Sequence, residues 1–246
     1  MLELADRADC GESDISNKSA ALERVFARRG WLAQQDEAFR HMVLSRGRCS
    51  QVNKGEPLFF AGDAAGGLYG VVSGSLGAHI GVTNQAPLLA HIHRPGAWLG
   101  EGPAVTGGPR FLAVIALEAS ELFLIPRVLI TQMEAEGFGI RARIAQQLWS
   151  GQMQAFRVVS ELLIPKAPRR VAAVLIRATG YGEVEAEHPD GFVLTQTQLA
   201  QMANCSRHVV NRTFVQFQHD GWIAARYNRV RILNEKALTD FAGTSE

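Results

Sequence analysis

The sequence predicts an α+β chain: a β sandwich or barrel, then a long helix, then a small α-rich C-terminal unit. Three observations carry this. Hydrophobic spacing is helical from Leu22 to Met42, alternates with period two from about Cys49 to Pro126, and returns to helical spacing from Arg127. Of 24 glycines, 13 lie between Gly55 and Gly108, inside the alternating segment. Tight turns and close strand packing there need φ > 0 or a missing Cβ. Pro165 and Pro168 then separate the long helical run from the C-terminal unit.

Taken in order, residues 1–20 are polar and charged and are expected to be flexible. Leu22, Val25, Phe26, Leu32 and Phe39 space one or two short helices. The alternating sets Leu68/Gly70/Val72, Leu76/Ala78/Ile80/Val82, Leu88/Ala90/Ile92, Phe111/Ala113/Ile115/Leu117 and Leu122/Leu124 read as short strands. Turn signals separate them: Ala61-Gly62-Asp63, Ser73-Gly74-Ser75, Thr83-Asn84-Gln85 and Pro95-Gly96. Ala64 to His93 carries no charged residue. Its six glycines and its alternation make it β structure, not a membrane span.

After Gly137 and Gly139, the positions Ile140, Ile144, Leu148, Gly151, Ala155, Val158 and Leu162 recur at intervals of three and four. Such a seam fits a two-stranded helical pairing, with a helix packed on its own domain as the alternative. Arg169 to Ala178 reads as a short apolar helix, and Thr179 to Gly191 as a solvated acidic loop. The expected division is 1–20 flexible, 21–136 β domain, 137–163 pairing helix and 164–246 C-terminal domain.

The strongest local signal lies between Leu194 and Trp222. Thr195 is a plausible N-cap for a helix through Ala203, Asn204 sits where the chain must turn sharply, and Ser206 can cap a second helix up to Gly221. That is a helix-turn-helix. Two short strands flanking Tyr227-Asn228-Arg229 come after it like a wing. The chain as a whole has net charge +1, which advertises neither a basic nucleic-acid binder nor an acidic one. Residues 191–234, however, contain five Arg, no Lys and only Asp220 as acid, a net of +4 that leaves −3 for the remainder. Arg207, His208, Asn211 and Arg212 share the polar side of the second helix. An arginine near the start of such a helix can fork onto guanine O6 and N7. Double-stranded DNA is the expected partner. Thr195, Gln196 and Ser206 are expected on phosphates, as are Arg226, Arg229 and Arg231. Arg207, His208 and Arg212 are expected to read bases, with Asn211 beside them on the same DNA-binding face.

These residues resemble the CRP/FNR family of bacterial transcription regulators. Leu199 to Arg212 looks like the family's helix-turn-helix, with Ser206-Arg207 opening the recognition helix. Gly55-Glu56, Gly62-Asp63 and Val71-Val72-Ser73-Gly74 resemble turns of its jelly roll. Gly100-Glu101, with Arg110 nine residues on, resembles its phosphate-binding cassette. The resemblance implies a cyclic-nucleotide-binding-like β jelly roll, a long dimerisation helix and a C-terminal winged helix-turn-helix. It also implies a homodimer on a palindromic operator, with RNA polymerase a further partner if the protein activates.

The sequence departs from the family's nucleotide binders. Phe111 stands where a hydroxyl donor is expected, Gly102-Pro103 comes directly after the Gly-Glu pair, and Ala155 and Phe156 offer the purine no hydroxyl. Gly100, Glu101, Arg110 and Phe111 remain the candidate effector residues, and a cyclic nucleotide the candidate effector. The alternative is a structural Glu101–Arg110 ion pair. On the recognition helix, His208 replaces the family's usual glutamate, so the operator should differ from that of the cyclic-AMP receptor.

Cysteines 10, 49 and 205 form no CxxC pair, which leaves a cysteine zinc site or iron–sulfur cluster without a ligand set and suits a reducing cytoplasm. The N-terminal segment lacks the basic and apolar regions of a secretory signal. Haem would need an axial ligand among His79, His91 and His93, and strand histidines are more often plain surface or core residues. His91-x-His93 invites comparison with metal-dependent cupin-like enzymes, but Glu101 comes too late and no second distant His is spaced to converge. No enzymatic activity is expected. An effector-independent dimeric DNA-binding protein is the other alternative.

Overall fold

A computed structural model describes residues 20–81, 86–180 and 190–243. The acidic loop, the turn at Thr83-Asn84-Gln85 and most of the N-terminal segment lie outside these residues. The described residues open with three short helices where one or two were expected: α1 (residues 20–26), α2 (Gly30–Ala33) and α3 (Glu37–Arg46). The Asp36 side chain caps α3 by accepting from the Phe39 amide at 2.8 Å. Eight short strands come next: β1 (Arg48–Val52), β2 (Pro57–Phe59), β3 (Gly67–Ser73), β4 (Leu76–Ile80), β5 (Leu88–His93), β6 (Trp98–Leu99), β7 (Ala113–Ala116) and β8 (Ser120–Pro126). A helix, α4 (Glu101–Thr106), interrupts them after β6.

The strands form two four-stranded antiparallel sheets in the orders β1-β8-β3-β6 and β2-β7-β4-β5. Val52, Val71, Leu99 and Leu122 of the first sheet meet Phe59, Leu76, Val114 and Ala116 of the second to fill the sandwich. The other face of the first sheet is buried too. Leu68, Val72, Trp98, Phe123 and Ile125 pack there on Phe26, Trp31, Leu32, Phe39 and Val43 of the N-terminal helices. This double burial accounts for Gly70. A Cβ there would lie 2.7 Å from the Phe26 ring and 3.0 Å from the Trp98 ring.

Helix α5 (Arg127–Ala135) leads through Gly137 and Gly139, both at positive φ, into the 23-residue α6 (Ile140–Leu162). Ile140 and Ile144 are buried in the chain's own core beside Ile130 and Met133. This corrects the seam expected for pairing, whose first two members face inward. The large apolar residues that α6 leaves exposed are Trp149, Met153, Phe156, Val159 and Leu162, with Leu163 just beyond its end. Among the described residues, no helix is long and apolar enough to cross a membrane.

The C-terminal unit comprises α7 (Ala167–Thr179), β9 (Phe192–Val193), α8 (Gln196–Met202), α9 (Arg207–His219), β10 (Ile223–Arg226), β11 (Arg229–Ile232) and α10 (Glu235–Gly243). Its core gathers Val171, Val174 and Leu175 of α7, Leu199 of α8, Val210, Phe214 and Phe217 of α9, and Leu238. Leu89 and Ile92 of β5 belong to the same cluster, so this unit packs against the edge strand of the second sheet.

Candidate nucleic-acid interface

Helices α8 and α9 are started by their own sequence. The Thr195 hydroxyl accepts from the Gln198 amide at 3.1 Å, and the Gln198 side chain accepts from the Thr195 amide at 2.8 Å, a reciprocal capping box. Asn204 takes the left-handed conformation, with φ 44°, and turns the chain sharply between the helices. Ser206 then caps α9, accepting from the Val209 amide at 3.3 Å. Both capping hydroxyls keep a proton to donate to a phosphate oxygen.

With Val210, Thr213, Phe214 and Phe217 turned into the core, α9 exposes Arg207, His208, Asn211 and Arg212 on its other side. Val215, one turn beyond Asn211, is exposed as well. An apolar side chain there could meet a thymine methyl. Val215 was not among the residues expected at the DNA, although its spacing from Asn211 is visible in the sequence. The wing pairs β10 with β11, from Ile223↔Ile232 to Arg226↔Arg229, around a two-residue loop at Tyr227 and Asn228. Arg226, Arg229 and Arg231 are exposed, and Arg229 donates to the Gly191 carbonyl at 3.0 Å.

The cassette residues lie apart from this surface. Gly100, at φ 87°, precedes α4, and Glu101 opens it. Arg110 is 3% exposed and already engaged: its Nη1 and Nη2 donate to the carbonyls of Gly100 at 3.2 Å and Gly67 at 3.0 Å. Its guanidinium lies 4.2 Å from the Phe59 ring centroid and 5.6 Å from that of Tyr69. Its Nε is buried without a hydrogen-bond partner among the described residues. Burial pushes the Arg110 pKa down and that of Glu101 up, and each group's opposite charge only partly offsets this.

No Glu101–Arg110 ion pair is formed, contrary to the structural alternative read from the sequence. Glu101 instead lies against Gly151 of α6, where a Cβ would sit 2.7 Å from its Oε1. Phe111 is 77% exposed and does not line the space around Arg110.

One face of α6 meets polar groups of the neighbouring elements at Gln147, Gly151, Gln154 and Glu161. Gln147 donates to the Trp98 carbonyl at 3.0 Å, Gly151 receives Glu101, and Gln154 approaches His91 Nδ1 at 3.5 Å. Glu161 ends the row on Arg177 of α7, at 2.7 Å. His91 and His93 stack edge-on with centroids 4.8 Å apart. Desolvation pushes both pKa values down, to about 4 for His93. His91 Nδ1 faces two donors and is therefore the acceptor of a neutral imidazole. Among the described residues, no group of three His, Cys, Asp or Glu converges to hold a metal ion.

Known proteins share this arrangement. The model of the Crp-like helix-turn-helix domain matches residues 169–241, and that of the cyclic nucleotide-binding domain matches residues 49–136. The chain belongs to the CRP/FNR family of DNA-binding transcription regulators. The fumarate and nitrate reduction regulatory protein of Vibrio cholerae is 25% identical over 202 residues, covering 81% of this chain and 80% of the relative. Its Escherichia coli K12 counterpart is 25% identical over 199 residues, covering 80% and 79%. Two solved structures share the fold. The c-di-GMP-responsive global regulator CLP of Xanthomonas campestris has TM-score 0.62 at 23% identity, covering 80% of this chain and 99% of that one. FixK2 of Bradyrhizobium japonicum has TM-score 0.64 at 18% identity, covering 81% and 99%.

Within this CRP/FNR frame, the DNA-facing candidates Arg207, His208, Asn211 and Arg212 are brought onto one exposed face. The cassette candidates are not gathered in the same way, because Phe111 turns outward and Glu101 turns to α6. No local pattern signalled the Glu101–Gly151 contact, since its partners are 50 residues apart.

Proposed function

We propose that this CRP/FNR regulator acts as a homodimer on a palindromic operator, with α9 of each protomer in the major groove of one half-site. The exposed row Arg207, His208, Asn211 and Arg212 on a capped, core-anchored helix carries this reading. Arg207 and Arg212 favour guanine, while Thr195, Gln196, Ser206, Arg226 and Arg229 hold phosphates. The apolar surface of Trp149, Met153, Phe156 and Leu163 on and just after α6 is the face offered to the second protomer. Half-sites then lie about one helical turn apart, roughly 34–36 Å. A DNA partner fits a cytoplasmic protein, and no catalytic role is proposed. The working division is 21–136 for the effector domain, 137–163 for the pairing helix and 164–246 for the DNA-binding domain. Operator selection from random DNA tests the reading: one palindromic consensus is expected, and recovery of unrelated sequences overturns it.

Two readings of the effector domain stand side by side. Glu101 and Arg110 suit a ribose and a phosphate, and the Xanthomonas relative is named for its response to c-di-GMP. Effector-independent binding is favoured by Arg110, whose two terminal nitrogens already serve Gly67 and Gly100. Calorimetry with cyclic AMP and with c-di-GMP separates them. Heat that disappears in Arg110→Ala supports a nucleotide, and no heat at millimolar ligand supports independence.

A further inference from the structure

Two buried arginines cross the boundary between the β sandwich and the DNA-binding unit in opposite directions. Arg177, on α7, reaches toward the sandwich. Its Nε donates to Glu161 Oε2 at 2.7 Å, and its Nη1 donates to the Ala90 carbonyl at 3.1 Å and to His91 Nδ1 at 3.0 Å. The Arg177 and Glu161 side chains are 2% and 9% exposed. Arg94, just after β5, reaches the other way. Its Nε donates to the Ala178 carbonyl at 2.8 Å and its Nη2 to the Val193 carbonyl at 3.2 Å, while its guanidinium lies 4.8 Å from the Phe192 ring centroid. Leu89 and Ile92 of β5 fill the space between with the C-terminal core.

We propose that Arg177 and Arg94 are positioning residues that fix the orientation of the DNA-binding unit on the sandwich, and so set the half-site spacing the dimer accepts. Pro165, between α6 and α7, and Pro168, at the start of α7, would suit a hinge there. A free hinge needs neither a shared apolar core nor buried charges spanning the boundary. A buried arginine is costly unless most of its donors are matched, and the matches here lie outside each arginine's own unit: on α6 and β5 for Arg177, and on α7 and β9 for Arg94. Arg177 also caps an outward carbonyl of β5, an edge strand that would otherwise present unpaired backbone. Its Nη2 is buried with no hydrogen-bond partner among the described residues. Because Glu161 ends the α6 row that begins at Trp98 and passes Glu101, a shift of α6 along its axis reaches Arg177 directly.

The spacing arm of the test rests on the homodimer reading, and a second arm does not. In the first, Arg177→Met, Arg94→Met and Glu161→Gln are measured against operators whose half-sites are moved apart in one-base-pair steps. The unaltered protein should prefer one spacing by about tenfold or more, and the variants should flatten that preference toward equality while binding a single half-site as before. A purely structural role would lower stability and leave the spacing preference in place. Unchanged preference in the variants overturns the proposal. In the second arm, hydrogen exchange of the DNA-free protein is followed over residues 88–93 and 171–179. Both segments should be protected together, and Arg177→Met should speed their exchange about tenfold or more while β8 stays unchanged. If Arg177→Met does not fold, Glu161→Gln, which keeps the shape of the side chain, is read instead. Fast exchange of these segments in the unaltered protein overturns the joint whatever the DNA results. Coupled protection without any spacing preference retains the joint and counts against the homodimeric operator reading alone.

Discussion

The DNA-binding unit and the β sandwich handle their polar groups in opposite ways. In the former, each functional side chain is started by its own neighbours in sequence. Thr195 and Ser206 cap the helices they precede, Asn204 turns the chain, and the arginines of α9 are left in water. In the latter, the polar groups are spent on contacts distant in sequence: Arg110 on Gly67, Glu101 against Gly151, and His91 on Arg177. A surface that reads DNA must keep its donors free, whereas a core that transmits a shift must keep its donors engaged. The first arrangement tolerates solvent and the second depends on excluding it.

The sharpest way to break this comparison is at the α6 surface proposed to join two copies. Met153→Glu together with Phe156→Glu puts charge on the exposed apolar face of α6. Dimer affinity should weaken on the order of a hundredfold or more, read by analytical ultracentrifugation, with operator binding lost in parallel. A variant that stays dimeric would move the pairing face elsewhere.

Acid should act on the sandwich through its two buried histidines. His93 is held neutral with a pKa of about 4, and His91 is also depressed, by desolvation and by His93, Arg177, Arg94 and Arg157 around it. A depressed histidine binds its proton first in the unfolded chain. Stability therefore falls as pH drops from about 6.5 toward 4, by at most about 3 kcal/mol for His93 and less where solvent still reaches the ring. The carboxyls of Glu101 and Glu161, raised by burial, work in the opposite sense: they remove stability as pH rises from about 4.5 through their raised values. Comparing urea unfolding of the protein and of His93→Gln across this range isolates the histidine contribution. Equal acid sensitivity in both would show that His93 is not the group responsible.

On the DNA side, Arg207→Ala and Arg212→Ala should each cost about 1–3 kcal/mol of operator binding and relax the base preference they read. Equal losses on operator and random DNA would reassign them to phosphates. Arg226→Ala and Arg231→Ala should act uniformly across sequences and lower the salt slope by about one each. The smallest expected effect is at the caps. Ser206→Ala should cost about 1 kcal/mol of unfolding free energy with the fold retained. A much larger loss would mean that Ser206 does more than accept from Val209.

Much of the molecule was legible because it is written locally. The helix-turn-helix needed only Thr195, Asn204 and Ser206 at the right intervals, and the wing only two short strands around Tyr227-Asn228. The +4 segment hidden within a near-neutral chain was also open to a sequence count. The α6 seam was misread because a heptad reports an apolar stripe and not what covers it. Ile140 and Ile144 turn to their own core, while Trp149, Met153 and Phe156 are left outside.

What the sequence determined by itself was the order of the elements, the caps and turns that start them, and the exposed polar face of α9. These depend on backbone preference and on neighbours within four residues. Only the tertiary structure decided that Arg110 is spent on Gly67 and Gly100, that Glu101 rests on Gly151, and that Arg177 and Arg94 clasp the two units together. A buried charge takes whichever partner the packing brings near, and that partner leaves no period, spacing or composition in the chain from which it could have been read.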